Sequence, residues 1–175
     1  NSYRGITKSV LGNNADGAEM DVQFTGDGQL ALYHNDYLQV TTSCIGCVLD
    51  YNLADVISCR YRNNRYFGRY LNDKVTKVEK IIQKFSKLKR IPFVYLDVKT
   101  TTPCGLSTST ATYINNYASA ITNLVQAYSA QAWVIVTTKD LSLLTAIQGL
   151  DPTLLLYYEH QDPSVAITGA INNSF

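Results

Sequence analysis

The stretch Ala15-Asp16-Gly17-Ala18-Glu19-Met20-Asp21-Val22-Gln23-Phe24-Thr25-Gly26-Asp27-Gly28 constrains this chain most. It reads as a loop, a short strand and a turn at Asp27-Gly28. Residues two apart in a strand point to one face, so Glu19 and Asp21 project together while Met20 and Val22 face the opposite way. Two neighbouring carboxylates repel each other and are costly to bury. The pattern calls for a cation, or a basic substrate group, between them, and hard divalent ions prefer such oxygen ligands.

From Val75 onward, helical and extended patterns alternate. Val75, Val78, Ile81, Ile82, Phe85 and Leu88 form one apolar stripe, which predicts a helix over Val75–Leu88. Phe93–Lys99 reads as a strand whose apolar run suits a parallel strand covered on both faces. In it Asp97 and Lys99 share a face, repeating the Glu19/Asp21 spacing. A helix over Ala111–Tyr128 follows, then a strand over Trp133–Thr137, a helix over Leu141–Gln148 stopped by Gly149, and a strand over Leu154–Tyr158. Strands alternating with helices mean βα units and a parallel sheet, the α/β class.

The signals before Val75 are weaker. Ile6–Asn14 reads as a linker with a turn at Gly12-Asn13-Asn14, and Gln29–Tyr33 as a second extended piece leading into His34. Asn35–Asp50 reads as a long loop. Arg60–Arg69 sets four arginines among tyrosines, a solvated connector or a segment that touches a phosphate or lipid headgroup.

At 175 residues the chain is long enough for one domain, residues 1–175, with a sizeable core. Its net charge of +1 gives no bulk field to recruit nucleic acid or an anionic membrane. No apolar run reaches transmembrane length, and no signal peptide begins the sequence, whose Asn1-Ser2-Tyr3 start fits a processed or trimmed end. The four cysteines are Cys44, Cys47, Cys59 and Cys104. Cys44-Ile45-Gly46-Cys47 has zinc or redox spacing, but no second such pair and no nearby His completes a metal site. One or two disulfides in an exported protein, secreted or periplasmic, and free buried thiols both fit the count. Asn172-Asn173-Ser174 is a glycosylation sequon.

In parallel α/β folds chemistry collects at the carboxyl ends of strands. The polar residues there are Tyr3-Arg4, Glu19, Asp21, His34, Asp97 and Lys99. Taken in order, the chain resembles the glycerophosphodiester phosphodiesterase family, whose pattern is H-R-G, then G-A-D-G-x-E-x-D-V-x-x-T-x-D-G, then H-D-x-x-L-x-R-T-T, then a strand ending in E-x-K. The matching pieces are Tyr3-Arg4-Gly5, the block Ala15–Gly28, His34-Asn35-Asp36-Tyr37-Leu38-Gln39-Val40-Thr41-Thr42, and Leu96-Asp97-Val98-Lys99. Tyr3 stands where the family carries its first His, Asn35 replaces the Asp beside the second, Val40 replaces an Arg, and the P-E-N-T helix after Gly5 is absent. The related sphingomyelinase D (phospholipase D) group is similar in its D-x-K strand and in a disulfide-bearing loop after the second His.

The resemblance implies a (β/α)8 TIM barrel of the PLC-like phosphodiesterase type. It is incomplete in this chain, which shows about four or five barrel strands where a closed barrel has eight. It also implies that Glu19, Asp21 and Asp97 hold one Mg²⁺ or Ca²⁺, that Arg4 and Lys99 bind the substrate phosphate, and that His34 is the general acid or base, with Tyr3 and Lys99 beside it. The implied substrate is a small glycerophosphodiester or a phospholipid headgroup diester. A catalytically degenerate barrel that binds a phosphorylated ligand or partner, and a sphingomyelinase D-like headgroup-releasing enzyme, are the alternatives.

Overall fold

A computed structural model describes residues 2–62, 73–100 and 110–159. Arg65, Arg69, the Pro103-Cys104-Gly105 loop, His160 and the sequon lie outside the described residues. Among the described residues, six strands form one sheet: β1 (Gly17–Phe24), β2 (Leu30–Leu32), β3 (Thr76–Lys77), β4 (Phe93–Val98), β5 (Val134–Thr138) and β6 (Leu155–Tyr158). Their order is β3-β2-β1-β4-β5-β6. β1, β4, β5 and β6 run parallel, whereas β2 and β3 are each antiparallel to their inner neighbour. The helices are α1 (Tyr3–Thr7), α2 (Leu53–Val56), α3 (Val78–Phe85), α4 (Ala111–Ala127) and α5 (Leu141–Leu150).

The long helices start where a side chain can satisfy their free amides. Thr110 accepts from Tyr113 N at the head of α4, and Asp140 accepts from Ser142 N and Leu143 N at the head of α5. α3, α4 and α5 all cover one face of the sheet. Ile81, Ile82 and Phe85, Tyr117, Ile121 and Val125, and Leu143, Leu144 and Ile147 pack in one cluster with Met20, Val22, Val94, Leu96, Val134 and Val136.

The opposite face is left open among the described residues, so the expectation that Phe93–Lys99 is covered on both sides is corrected. Val94, Leu96 and Val98 are buried, whereas Phe93 and Tyr95 are exposed, as are Leu155 and Tyr157 on β6. Among the described residues the sheet ends at β3 on one side and β6 on the other rather than closing on itself, which is the architecture of an incomplete barrel.

The amino-terminal linker is also corrected. Ser2 Oγ accepts from Gly5 N, α1 begins there, and the chain continues into a π-helical turn over Lys8–Gly12. Ile6 and Val10, four apart, reach the core from this segment. The helix read from Val75 starts at Val78, because Thr76 and Lys77 pair with Leu32 and Ala31 as β3. α5 runs past Gly149 to Leu150. The long loop contains two short 3₁₀ turns, Leu38–Val40 and Val48–Asp50.

A second, smaller core lies under that loop, where Tyr33, Leu38, Val48, Val56 and Val75 pack around Cys59. Cys44 and Cys59 form a disulfide, Cys47 is disulfide-bonded as well, and no free cysteine remains among the described residues. Disulfides therefore replace the zinc, redox and free-thiol readings of these three cysteines. No helix among the described residues is long and apolar enough to cross a membrane.

Candidate functional site

β1 and β4 are parallel neighbours in a register that sets Met20 beside Leu96 and Asp21 beside Asp97. Strand alternation sends Met20, Val22, Leu96 and Val98 toward the helices, where they are buried. Glu19, Asp21, Asp97 and Lys99 are thereby left on the open face. One carboxylate oxygen from each of Glu19, Asp21 and Asp97 lies within 4.8 Å of the others. These acids border a hollow of about 870 Å³ together with Lys99, His34, Tyr95, Thr137 and Tyr157. Glu19 is exposed, Asp97 half-buried and Asp21 buried.

Lys99 Nζ lies 3.1 Å from Asp21 Oδ1 and also donates to Asp97 Oδ2. Burial alone would lower the Lys99 pKa, but its hydrogen bonds to Asp97 and Asp21 raise it above the ordinary lysine value. Burial raises the Glu19 pKa, and the charges of Asp21 and Asp97 raise it further, against the opposing pull of Lys99 and His34. The three carboxylates form an all-oxygen, acidic donor set. That chemistry fits a hard divalent cation.

His34 follows β2 on a loop held against β1. Tyr33 N donates to Asp21 O at 3.1 Å. The Tyr33 hydroxyl lies 3.0 Å from each of the Tyr37 and Leu38 carbonyl oxygens and from Thr41 Oγ1. His34 Nδ1 lies 3.3 Å from Asn35 Oδ1, and its ring borders the hollow.

Tyr3 and Arg4 are not brought to the acids. They line a different hollow of about 370 Å³ beside Lys74, Lys77 and Lys80, and Lys80 Nζ stands 4.3 Å from the Tyr3 ring centre. The cause is α1, which carries both residues along the helix-covered side with Ile6 and Val10. Sequence reasoning missed Gln23, Thr137 and Tyr157. The first lies two residues beyond Asp21 on the same strand. Thr137 pairs in register with Asp97, and Tyr157 with Thr137, so strand alignment was the signal available for them.

The glycerophosphoryl diester phosphodiesterase family model matches residues 6–167. A glycerophosphodiester phosphodiesterase of Bacillus subtilis (strain 168) is 34% identical over 80 residues, 42% of this chain and 27% of that protein. A protein from Silicibacter pomeroyi named for the same activity has a solved structure that superposes with a TM-score of 0.80 at 17% identity, over 94% of this chain and 61% of that one. An Oleispira antarctica phosphodiesterase solved with the product sn-glycerol-3-phosphate gives 0.70 at 17% identity, over 89% and 59%. The chain thus spans about three fifths of these solved relatives' length. Its fold is theirs in incomplete form, and the chain belongs to the glycerophosphoryl diester phosphodiesterase family.

Proposed function

We propose that the protein is a divalent-metal-dependent phosphodiester hydrolase acting on glycerophosphodiesters or lipid headgroup diesters. One observation carries the reading: Glu19, Asp21 and Asp97 converge within 4.8 Å on the hollow that Lys99 and His34 also border. The three acids are the residues that would hold Mg²⁺ or Ca²⁺. Such an ion supplies Lewis-acid stabilisation of negative charge on phosphoryl oxygens.

The chain's own groups do the rest. Lys99 presents an ammonium to the phosphate and offsets its charge. His34 moves the proton, giving it to the leaving alkoxide or taking it from the attacking hydroxyl. Asn35, at 3.3 Å from Nδ1, orients the ring. Arg4 and Tyr3 have no part in this reading, since both line the other hollow. The disulfide chemistry of Cys44, Cys47 and Cys59 supports export to an oxidising compartment.

The test is hydrolysis of glycerophosphocholine with added Mg²⁺ or Ca²⁺ and with EDTA. Turnover that needs the metal and collapses in Glu19→Ala supports the reading, and equal turnover by that variant removes it. A second reading, a non-catalytic barrel that binds a phosphorylated ligand, is favoured by the position of Tyr3, which leaves His34 without a partner acid–base group from α1. Binding of sn-glycerol-3-phosphate with no turnover of any diester would select it.

A further inference from the structure

Gln23 is a buried neutral residue that the reaction chemistry does not use. Its side-chain nitrogen Nε2 donates to the Tyr33 carbonyl at 3.2 Å and to the Asn35 carbonyl at 2.8 Å. Those two carbonyls flank His34 on either side. A side-chain amide carries two N–H donors, so both are spent on the backbone around a single residue. β2 ends at Leu32, and the loop beyond it has to be held by other means.

The same loop is pinned at three further points. Tyr33 N donates to Asp21 O, the Tyr33 hydroxyl bonds to the 37–41 turn, and Asn35 Nδ2 donates to Thr41 Oγ1 at 3.3 Å. Asp21 and Gln23 lie two apart on β1. One rigid strand therefore provides an acid of the cluster and the clamp on the histidine loop.

We propose that Gln23 is the positioning residue for His34, fixing where the imidazole stands relative to Glu19 and Asp21. This rests on the reading of His34 as the proton-transfer group. Gln23→Met removes both donors at nearly constant side-chain length, and Gln23→Asn keeps the amide but withdraws it by one methylene. Displacing a reacting group by about 1 Å can cost ~10²-fold in rate, so with glycerophosphocholine and Mg²⁺ the expected fall in kcat for Gln23→Met is ~10–100-fold. KM stays within about twofold, because the groups that bind the phosphate are untouched.

Two comparisons separate positioning from a general loss of structure. In a His34→Ala background, Gln23→Met causes no further loss of turnover, since residues acting through one another are not additive. The chain has two histidines, so His34→Ala assigns the His34 ring signal in a ¹H–¹⁵N spectrum of the metal-free protein, and Gln23→Met shifts and broadens that signal. If the Met variant does not fold, the same comparisons on Gln23→Asn carry the test. An unchanged His34 signal, or an equal loss of turnover with and without His34, overturns the role of Gln23. Full turnover by His34→Ala instead overturns the reading of His34, whereas its collapse beside a normal Gln23→Met variant overturns Gln23 alone.

Discussion

Lys99 ties together two carboxylates from different strands: its ammonium lies 3.1 Å from Asp21 of β1 and donates to Asp97 of β4. Removing it leaves a buried Asp21 charge without this cation. Lys99→Met is expected to lower metal-free stability by about 1–3 kcal/mol, seen as a lower melting temperature that Mg²⁺ partly restores. Divalent binding tightens, because a competing positive charge is gone, while kcat falls ~10²–10³-fold through loss of charge stabilisation. Calorimetric titration and steady-state kinetics on one preparation read both effects, and weaker metal binding would contradict the account.

Glu19 has the opposite sign of effect on stability. Its pKa is raised by burial and by Asp21 and Asp97. The folded state therefore holds a proton that the unfolded state has already released, and stability falls as pH rises above the ordinary carboxylate range. Glu19→Gln is expected to stabilise the metal-free protein at pH 7, by less than about 1 kcal/mol because the group is exposed. The gain disappears below the ordinary carboxylate range. The same variant binds divalent ions less tightly. Melting curves at pH 3 and pH 7 check the sign.

One-sided burial of β4 separates adjacent residues. Leu96→Ala opens a cavity under the helices and is expected to cost about 2–5 kcal/mol. Tyr95, its neighbour on the open face, is 42% exposed, and Tyr95→Ala is expected to cost about 1 kcal/mol or less by the burial it retains. Urea unfolding of the two variants compares them directly.

The Cys44–Cys59 disulfide closes a loop of sequence separation 15. Replacing both residues with Ser is expected to cost ~3 kcal/mol by loop-closure entropy. The loss falls first on the small core of Tyr33, Leu38 and Val48, so hydrogen exchange accelerates over residues 33–59 before it does in α4.

Much of the site was legible because strand alternation is a strong local rule. Met20 and Val22 facing the helices and Glu19 and Asp21 facing away needed only a period of two, and the α3 stripe needed only a helical one. β3 and α2 were not legible, since two and four residues carry no period. The strand at Phe93 misled because aromatic residues occupy its exposed positions, so an alternating burial looked like a continuous apolar run. α1 was hidden in a stretch with two core residues, Ile6 and Val10, and its Ser2 cap is a single side chain. The face of Gln23 followed from its place two residues beyond Asp21, but its partners did not, since they are backbone carbonyls ten and twelve residues later.

The most direct measurement is a Mn²⁺-soaked crystal with anomalous data collected at the manganese edge. The account predicts one anomalous peak coordinated by Glu19, Asp21 and Asp97, lost in Asp21→Ala. A fully soaked crystal with no peak among those three carboxylates, or with manganese held only elsewhere, would contradict it.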